Sequence, residues 1–532
     1  MTGMKRAANT ELAMPDMLRR FWVQVLLFLL AGAVSALALP PIGWWPVLGL
    51  TFSGILWIWD RSGPQRWHSD GLLGFSFGFG YFVVALHWIG VAFFVNADDY
   101  LWMMPFAVGG LAVFLALYWG LAFLLARWLS HSKRRLPVPA FLALPFALAL
   151  MEIMRGVLFT GFPWAAPGLV AEGMGGVLQF ASIIGMWGLS FLVLLWAALP
   201  FALVQYWRAG LGPCIFVWLL IASLPVCWGW GEIRLRANPT SATADVRLRL
   251  VQPNLPQDDK WRDAHARQIF EGLLAQSAQS TSKPPTHIIW PESSVPFLLD
   301  ESPGALRAIG QMLGPNRILM AGSIRREPRT KDTSDQPYFT SVEVIDGSGT
   351  IVGVYDKWRL VPGGEFLPLA WLLEPLGFRK VVNLPEGFSA GPGPHSLEVP
   401  GAGLAGFLIC YEAVFPDRLI QKGERPQWII NVTNDGWFGT SVGPWQHLAQ
   451  VRMRSVEQGL PIARAANTGI SAIFDPLGRI VAASRMSEKT VVDGILPKPL
   501  PATLFARFGI FASLSLMLLL VVVGSMLTWR NR

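Results

Sequence analysis

Runs of apolar residues long enough to cross a bilayer constrain this chain more than any other feature. They fall near 21–39, 43–59, 71–95, 100–128, 136–157, 175–205, 213–230 and 508–529. A spanning helix needs about 20 such residues, because lipid offers an open backbone no hydrogen bonds. The fourth and sixth runs are long enough to tilt or to include interfacial turns. Of 532 residues 52% are hydrophobic and only 15% charged, where ordinary soluble domains carry about 25%. Between the seventh and eighth runs, 246–499 is mixed in polarity and rich in strand-like segments. The expectation is a polytopic α-helical membrane domain of seven spans over 1–235, an extramembrane domain over 246–499, and an eighth span within 505–532.

Charge gives the orientation. The stretch 246–499 holds 26 Lys+Arg and 25 Asp+Glu, leaving 17 basic and 10 acidic residues elsewhere to supply most of the net +8. The pI of 9.6 therefore reports charge beside a membrane and does not indicate nucleic acid. Lys5, Arg6, Arg19, Arg20, Arg61, Arg66, Arg127, Lys133, Arg134, Arg135, Arg208, Arg530 and Arg532 fall on one side of the runs. Arg155, Arg234, Arg236 and Arg507 fall on the other, with acids such as Asp98 and Asp99. Thirteen against four is the positive-inside pattern, with both termini cytoplasmic and the large domain facing outward. Ala36-Leu37-Ala38 resembles a cleavage site, but the first run is longer than a usual signal core and reads as an uncleaved anchor.

The outer domain reads as α/β. Segments 246–252, 287–290, 317–324, 340–345, 404–409 and 427–433 are short β-rich runs bounded by Pro, Gly or Asn. Residues 263–278 and 447–458 have helical spacing of their apolar positions, and 346–349 and 475–478 are hairpin turns. Segments 277–285 and 326–337 read as polar surface loops.

Cys410 closes the apolar run Gly406-Phe407-Leu408-Ile409 and is followed by Tyr411-Glu412. The other cysteines, Cys214 and Cys227, lie in a distant apolar segment, so Cys410 is either a buried small hydrophobe or a nucleophile. A lone thiol suits an oxidising compartment, where two would risk pairing. A cysteine nucleophile needs a base and donors for the oxyanion that forms on an attacked carbonyl. None of the 7 histidines has a signature context; His287 and His447 read as structural. No metal-ligand spacing and no phosphate-cradling loop occurs, so neither metal nor cofactor is expected. Ile288-Ile289-Trp290-Pro291-Glu292 instead puts a carboxylate just past a buried strand. Tyr355-Asp356-Lys357 puts a lysine past another, with Glu365 eight residues on. Glu292 taking the thiol proton while Lys357 holds thiolate and oxyanion would make a convergent site.

These three segments resemble the Glu-Lys-Cys triad of the nitrilase superfamily, the carbon–nitrogen hydrolases. The spans around the domain make the whole chain resemble the bacterial apolipoprotein N-acyltransferases. Trp290-Pro291-Glu292, the Lys357 to Glu365 segment, Cys410-Tyr411-Glu412 and the 431–438 segment Asn-Val-Thr-Asn-Asp-Gly-Trp-Phe carry that resemblance. One departure is Gly363, where family members commonly carry an aromatic residue. The resemblance implies a nitrilase-like αββα sandwich for the outer domain. It implies Glu292 as general base, Cys410 as nucleophile and Lys357 as oxyanion stabiliser. Glu365 would support the site, while Tyr411, Glu412 and Trp261 match positions that matter for activity. The implied reaction moves the sn-1 acyl chain of a phospholipid, phosphatidylethanolamine foremost, through a Cys410 thioester. The acceptor is the α-amine of the N-terminal diacylglyceryl-cysteine of an apolipoprotein. The implied setting is the bacterial inner membrane, with a periplasmic catalytic domain and a monomeric enzyme.

Three further readings come from the residues alone. The apolar stretch 366–373, beside the Lys357 loop, is either core or an arm dipping into the outer leaflet. Gly74 and Gly78, four apart in the third run, suggest close helix packing. Glu152 and Arg155 at the outer end of the fifth run would pair with each other or meet a headgroup. The rival functions are a membrane-tethered amidase acting on a small amide, and a transporter or scaffold in which Cys410 is dispensable.

Overall fold

The computed structural model describes residues 14–63, 66–94, 98, 101–131, 137–206, 210–256, 263–327, 336–377, 387–417, 419–421, 423 and 425–529. Trp261, most of the 326–337 loop, and Lys5, Arg6, Asp99, Lys133, Arg134, Arg135, Arg208, Arg530 and Arg532 lie outside them.

Among the described residues, 7 helical segments are long and apolar enough to cross a membrane: Phe21–Ala38, Trp67–Phe94, Leu101–Leu129, Ala140–Thr160, Pro167–Ala197, Leu211–Ala237 and Ile510–Thr528. Their α-helical parts include α1 (Phe21–Ser35), α3 (Trp67–Leu86), α4 (Met104–Leu129), α5 (Ala140–Val157), α6 (Ala181–Ala197) and α7 (Leu211–Ala237). The run near 43–59 forms α2 (Pro46–Arg61), only 16 residues long. At 1.5 Å per residue that is about 24 Å, near the lower end of what a span needs, so the chain has about seven to eight spans. The run near 175–205 is revised. Its span starts earlier, as a 3-10 helix over Pro167–Phe180, and α6 is broken at Gly185, where φ is +62°. Gly74 and Gly78 bring α3 against α4, as a Cβ would lie 2.6 Å from the Trp119 carbonyl oxygen at the first and 2.9 Å from Trp119 Cβ at the second. Small residues at such crossings let helices gain close contact where lipid supplies no hydrophobic drive.

The outer domain stacks two six-stranded sheets. One runs β12-β1-β2-β3-β4-β5, from β1 (Ala242–Gln252), β2 (His287–Trp290), β3 (Ile318–Arg326), β4 (Tyr338–Ile345), β5 (Ile351–Asp356) and β12 (Thr490–Pro497). The other runs β11-β10-β9-β8-β7-β6, from β6 (Ser396–Val399), β7 (Gly403–Ile409), β8 (Trp428–Thr433), β9 (Ile462–Ala466), β10 (Ala472–Phe474) and β11 (Ile480–Ala483). The inner strands β1-β2-β3 and β7-β8-β9 are parallel, and the flanking pairs are antiparallel. Parallel strands are buried on both faces. Leu250, Ile289, Met320, Phe407, Ile430 and Ala463 meet between the sheets. On the outer face of the first sheet, Ile288, Trp290 and Leu319 pack with Ile269 and Leu273 of α8 (Asp263–Ser277) and Ile309 of α9 (Pro303–Leu313). On the outer face of the second, Leu408, Ile429 and Ile462 pack with Leu448 and Val451 of α10 (Gly443–Gln458). The layers are therefore helix, sheet, sheet, helix.

The helix expected from His447 starts four residues earlier, with Pro444 in its first turn, where proline's missing N–H costs nothing. Helix α10 is also the dock. Its Met453 and Val456 belong to the apolar core of the membrane helices, with Tyr411, Val414 and Phe415. Ile510–Trp529, α11, then returns along α6 and α5.

Candidate active site

Glu292, Lys357 and Cys410 each follow the C-terminal end of a strand, β2, β5 and β7 respectively. All three are buried. The Lys357 ammonium donates to Glu292 Oε1 at 3.1 Å and to Glu365 Oε1 at 2.7 Å. The other Glu292 oxygen accepts the Asn434 N–H at 2.9 Å, and the other Glu365 oxygen accepts the Val361 N–H at 2.8 Å. Each carboxylate is thus fixed by one backbone donor and by the shared ammonium. Cys410 lies within the electrostatic reach of both Glu292 and Lys357. Its backbone is left-handed, with φ +48°, and Ser293, next to Glu292, has φ +46°. Such conformations cost about 1–3 kcal/mol each and persist where surrounding structure imposes them.

Burial opposes charge on Lys357, but the Glu292 and Glu365 carboxylates outweigh it and hold the ammonium well above its ordinary pKa. Burial raises the Glu365 pKa, with Lys357 opposing and Glu292 reinforcing the rise. Burial also raises the Cys410 thiol, Glu292 adds to the rise, and Lys357 pulls against it. Burial therefore favours the neutral thiol, which would need a base in order to act as a nucleophile, and Glu292 lies within its electrostatic reach.

Glu412 and Tyr411 act at one remove from the thiol. Glu412 Oε2 accepts the Ile409 N–H at 2.7 Å and the Tyr355 hydroxyl at 3.1 Å. Its Oε1 accepts the Trp358 N–H at 2.8 Å and the Arg359 N–H at 3.3 Å. One carboxylate therefore ties the residue before Cys410 to the two residues after Lys357. Burial pushes its pKa up to about 7, against the pull of the backbone donors. The Tyr411 hydroxyl donates to the Gly161 carbonyl at 3.0 Å, in the loop that follows α5. Gly363 takes φ +78° in the turn that returns the chain to Glu365, and its N–H donates to the Phe366 carbonyl at 2.7 Å. A glycine suits that left-handed position, so the turn holds Glu365 without the aromatic residue.

Sequence reasoning missed a buried polar set beneath Cys410. Asp435 accepts from Arg464 Nη2 at 2.6 Å and meets His447 Nδ1 at 2.9 Å, while His447 Nε2 lies 3.1 Å from the Cys410 carbonyl oxygen. Burial would raise the Asp435 pKa, yet Arg464 and His447 hold it at about 2. His447 braces the backbone of Cys410 through that carbonyl. A usable signal was Arg464, a charge inside a strand otherwise made of small apolar residues, which only a buried partner explains. Asn467 adds a clamp, donating to Asn434 Oδ1 at 3.1 Å and to the Leu255 carbonyl at 2.9 Å. His287 Nε2 donates to the Pro400 carbonyl at 2.9 Å. Trp261 is not among the described residues. Glu152 and Arg155 do pair, fully buried.

A helix–sheet–sheet–helix domain with a Glu-Lys-Cys cluster at its strand ends, docked on a bundle of apolar helices, defines a membrane-bound member of the nitrilase superfamily. Residues 247–497 match the family model for carbon-nitrogen hydrolases, and residues 31–199 match that for the apolipoprotein N-acyltransferase N-terminal domain. The apolipoprotein N-acyltransferase of Rhodopseudomonas palustris is 40% identical, the match covering 95% of each chain. That of Bradyrhizobium diazoefficiens is 42% identical over 94% of each. The chain belongs to the apolipoprotein N-acyltransferase family, and it is an acyltransferase and a multi-pass membrane protein. Among solved structures, an amidase from Nesterenkonia sp. aligns at 16% identity and a TM-score of 0.34, over 49% of this chain and 94% of its own, too slight a likeness to argue from.

Proposed function

We propose that the enzyme acylates the α-amine of the N-terminal diacylglyceryl-cysteine of apolipoproteins, taking the sn-1 acyl chain of a phospholipid, foremost phosphatidylethanolamine, by a ping-pong route. The observation that carries the reading is the buried Lys357 ammonium held between two carboxylates and in the field of Cys410. In the first half-reaction, Glu292 takes the Cys410 proton as sulfur attacks the ester carbonyl. Lys357 meets the oxyanion; collapse breaks the ester C–O bond, and Glu292 returns the proton to the leaving lysophospholipid oxygen. In the second, the acceptor amine attacks the thioester, Glu292 takes its proton, and the departing sulfur is reprotonated. A thioester in apolar surroundings keeps acyl reactivity for the amine and limits hydrolysis.

The membrane contact of the Tyr411 elbow supports a lipid donor over a soluble amide. The exposed Leu369 and Trp371 of the 366–373 segment support contact with an outer leaflet. The proposal includes a membrane domain over 1–235, a periplasmic catalytic domain over 246–499, a closing span within 505–532, cytoplasmic termini, an inner-membrane setting and a monomeric enzyme. The test is intact mass spectrometry of wild type and Cys410→Ala after incubation with phosphatidylethanolamine carrying chains of different mass at sn-1 and sn-2. A hydroxylamine-labile adduct of the sn-1 mass, in wild type alone, is expected. No adduct on folded wild type would refute the thioester route and turn attention to the amidase reading.

A further inference from the structure

The loop that receives Tyr411 cannot hold its own shape. Phe159, Thr160, Gly161 and Ala165 all have positive φ, between +53° and +79°. Three of these are not glycine, and each such backbone costs about 1–3 kcal/mol unless its surroundings impose it. The surroundings here are one ion pair at the end of α5. Arg155 Nη1 donates to the carbonyls of Phe162 and, at 2.9 Å, of Trp164. The same guanidinium donates through Nε to Glu152 Oε1 at 3.0 Å and through Nη2 to Glu152 Oε2. Trp119 Nε1, from α4, donates to Glu152 Oε1 at 2.8 Å, and the Tyr81 hydroxyl, from α3, donates to the Ala165 carbonyl at 2.9 Å. Every donor nitrogen of Arg155 is thus committed to the loop or to the carboxylate that orients it. Four of its five N–H groups are used in this way, and the side chain is fully buried.

The loop grips the catalytic domain on both sides of Cys410. Gly161 accepts the Tyr411 hydroxyl at 3.0 Å, one residue after the nucleophile. Trp164 Nε1 donates to Gln446 Oε1 at 2.8 Å, and its ring centroid lies 5.3 Å from that of His447, the residue that braces the Cys410 carbonyl. We infer that Glu152 and Arg155 are positioning residues for the nucleophile: the buried pair fixes the loop over 158–165 as the seat of Tyr411, so that the membrane helices set where the Cys410 elbow stands. An ion pair that served only to fold the helix bundle would change stability without being coupled to Tyr411.

The inference rests on the acyl-transfer reading, and its test separates the two. Full-length wild type, Arg155→Lys, Tyr411→Phe and the double variant are purified in one detergent. Each is incubated with phosphatidylethanolamine in mixed micelles. The rate of thioester formation is followed against donor concentration by intact mass spectrometry, with thermal unfolding recorded in parallel. Lysine keeps the charge but cannot hold two carbonyls and both carboxylate oxygens. Displacement of a reacting group by about 1 Å costs about a hundredfold, so Arg155→Lys is expected to lower the maximal rate by about that factor while the half-saturating donor concentration stays within about threefold. Tyr411→Phe in the Arg155→Lys background is expected to add less than about threefold, because the seat is already released. Independent, multiplying effects would overturn the inference, as would Arg155→Lys at the wild-type rate. Should Arg155→Lys not fold, Glu152→Gln, which frees the guanidinium from its orienting charge, enters the same cycle with the same two outcomes. Wild type without an adduct would bring down the acyl-transfer reading and this inference together.

Discussion

Replacing Lys357 with methionine keeps the length of the side chain and removes the ammonium shared by Glu292 and Glu365. The two contacts, at 3.1 and 2.7 Å, are each worth about 5–6 kcal/mol of gross attraction at an effective dielectric of about 20. Desolvation of three buried charges consumes much of this, so breaking such an arrangement costs about 3–5 kcal/mol net. Lys357→Met should lose about that much stability at neutral pH. The loss should shrink as pH falls, because carboxylates deprived of their cation take up protons more readily in the folded state than in the unfolded one. The same change removes the charge proposed to meet the oxyanion, a term worth about 10²–10³ in rate. Two assays are needed on one sample: thermal or denaturant unfolding from pH 5 to pH 8, and the rate of thioester formation on Cys410. Thioester formation within about tenfold of wild type, by a protein that unfolds like wild type, would refute both the electrostatic account and the role given to Lys357.

Glu412→Gln should slow thioester formation about a hundredfold and lower stability by about 2–3 kcal/mol, since either amide orientation sets an NH2 group against a backbone N–H that Glu412 now accepts; a wild-type rate would show that the elbow and the Lys357 loop keep their places without it. Glu343 is fully buried on β4, and burial, with Asp300 adding to it and nearby Ser323 and Arg325 opposing, lifts its pKa from 4.5 to about 8. A raised carboxylate pKa means stability falls as pH rises from about 4.5 to about 8, so Glu343→Gln should be near neutral at pH 5 and stabilising by about 3–4 kcal/mol at pH 8; parallel unfolding curves across that range would contradict this. A Cβ at Gly322 would lie 2.1 Å from the Pro291 carbonyl oxygen and 2.8 Å from Glu292 Cα. Gly322→Ala should therefore shift Glu292, cost about 1–3 kcal/mol and slow the first half-reaction far more than donor binding, as a comparison of maximal rate with half-saturating concentration would reveal.

The division into apolar helices and an α/β domain is legible in the sequence, because bilayer thickness and strand burial leave their mark on every local window. The sequence also singled out the three residues that the fold brings to one site. Glu292, Lys357 and Cys410 each end an apolar run, and strand ends are legible where hydrophobic residues give way to Pro, Trp or Tyr. Local pattern does not record where a helix begins and ends, so the run near 43–59 became a helix over Pro46–Arg61. It also missed the 3-10 start of the sixth run at Pro167, where glycines and a proline hide helical turns. Which charges meet depends on the folded chain. Glu365 comes back to Lys357 through a glycine turn, Arg464 finds Asp435 across β8 and β9, and Glu412 joins β7 to the end of β5. Nor does any window of sequence show that the loop after α5 holds Tyr411, since Gly161 and Tyr411 lie 250 residues apart. Side-chain periodicity reports which face an element buries. What it is buried against, and therefore which polar atoms are satisfied there, depends on contacts between segments far apart in the chain.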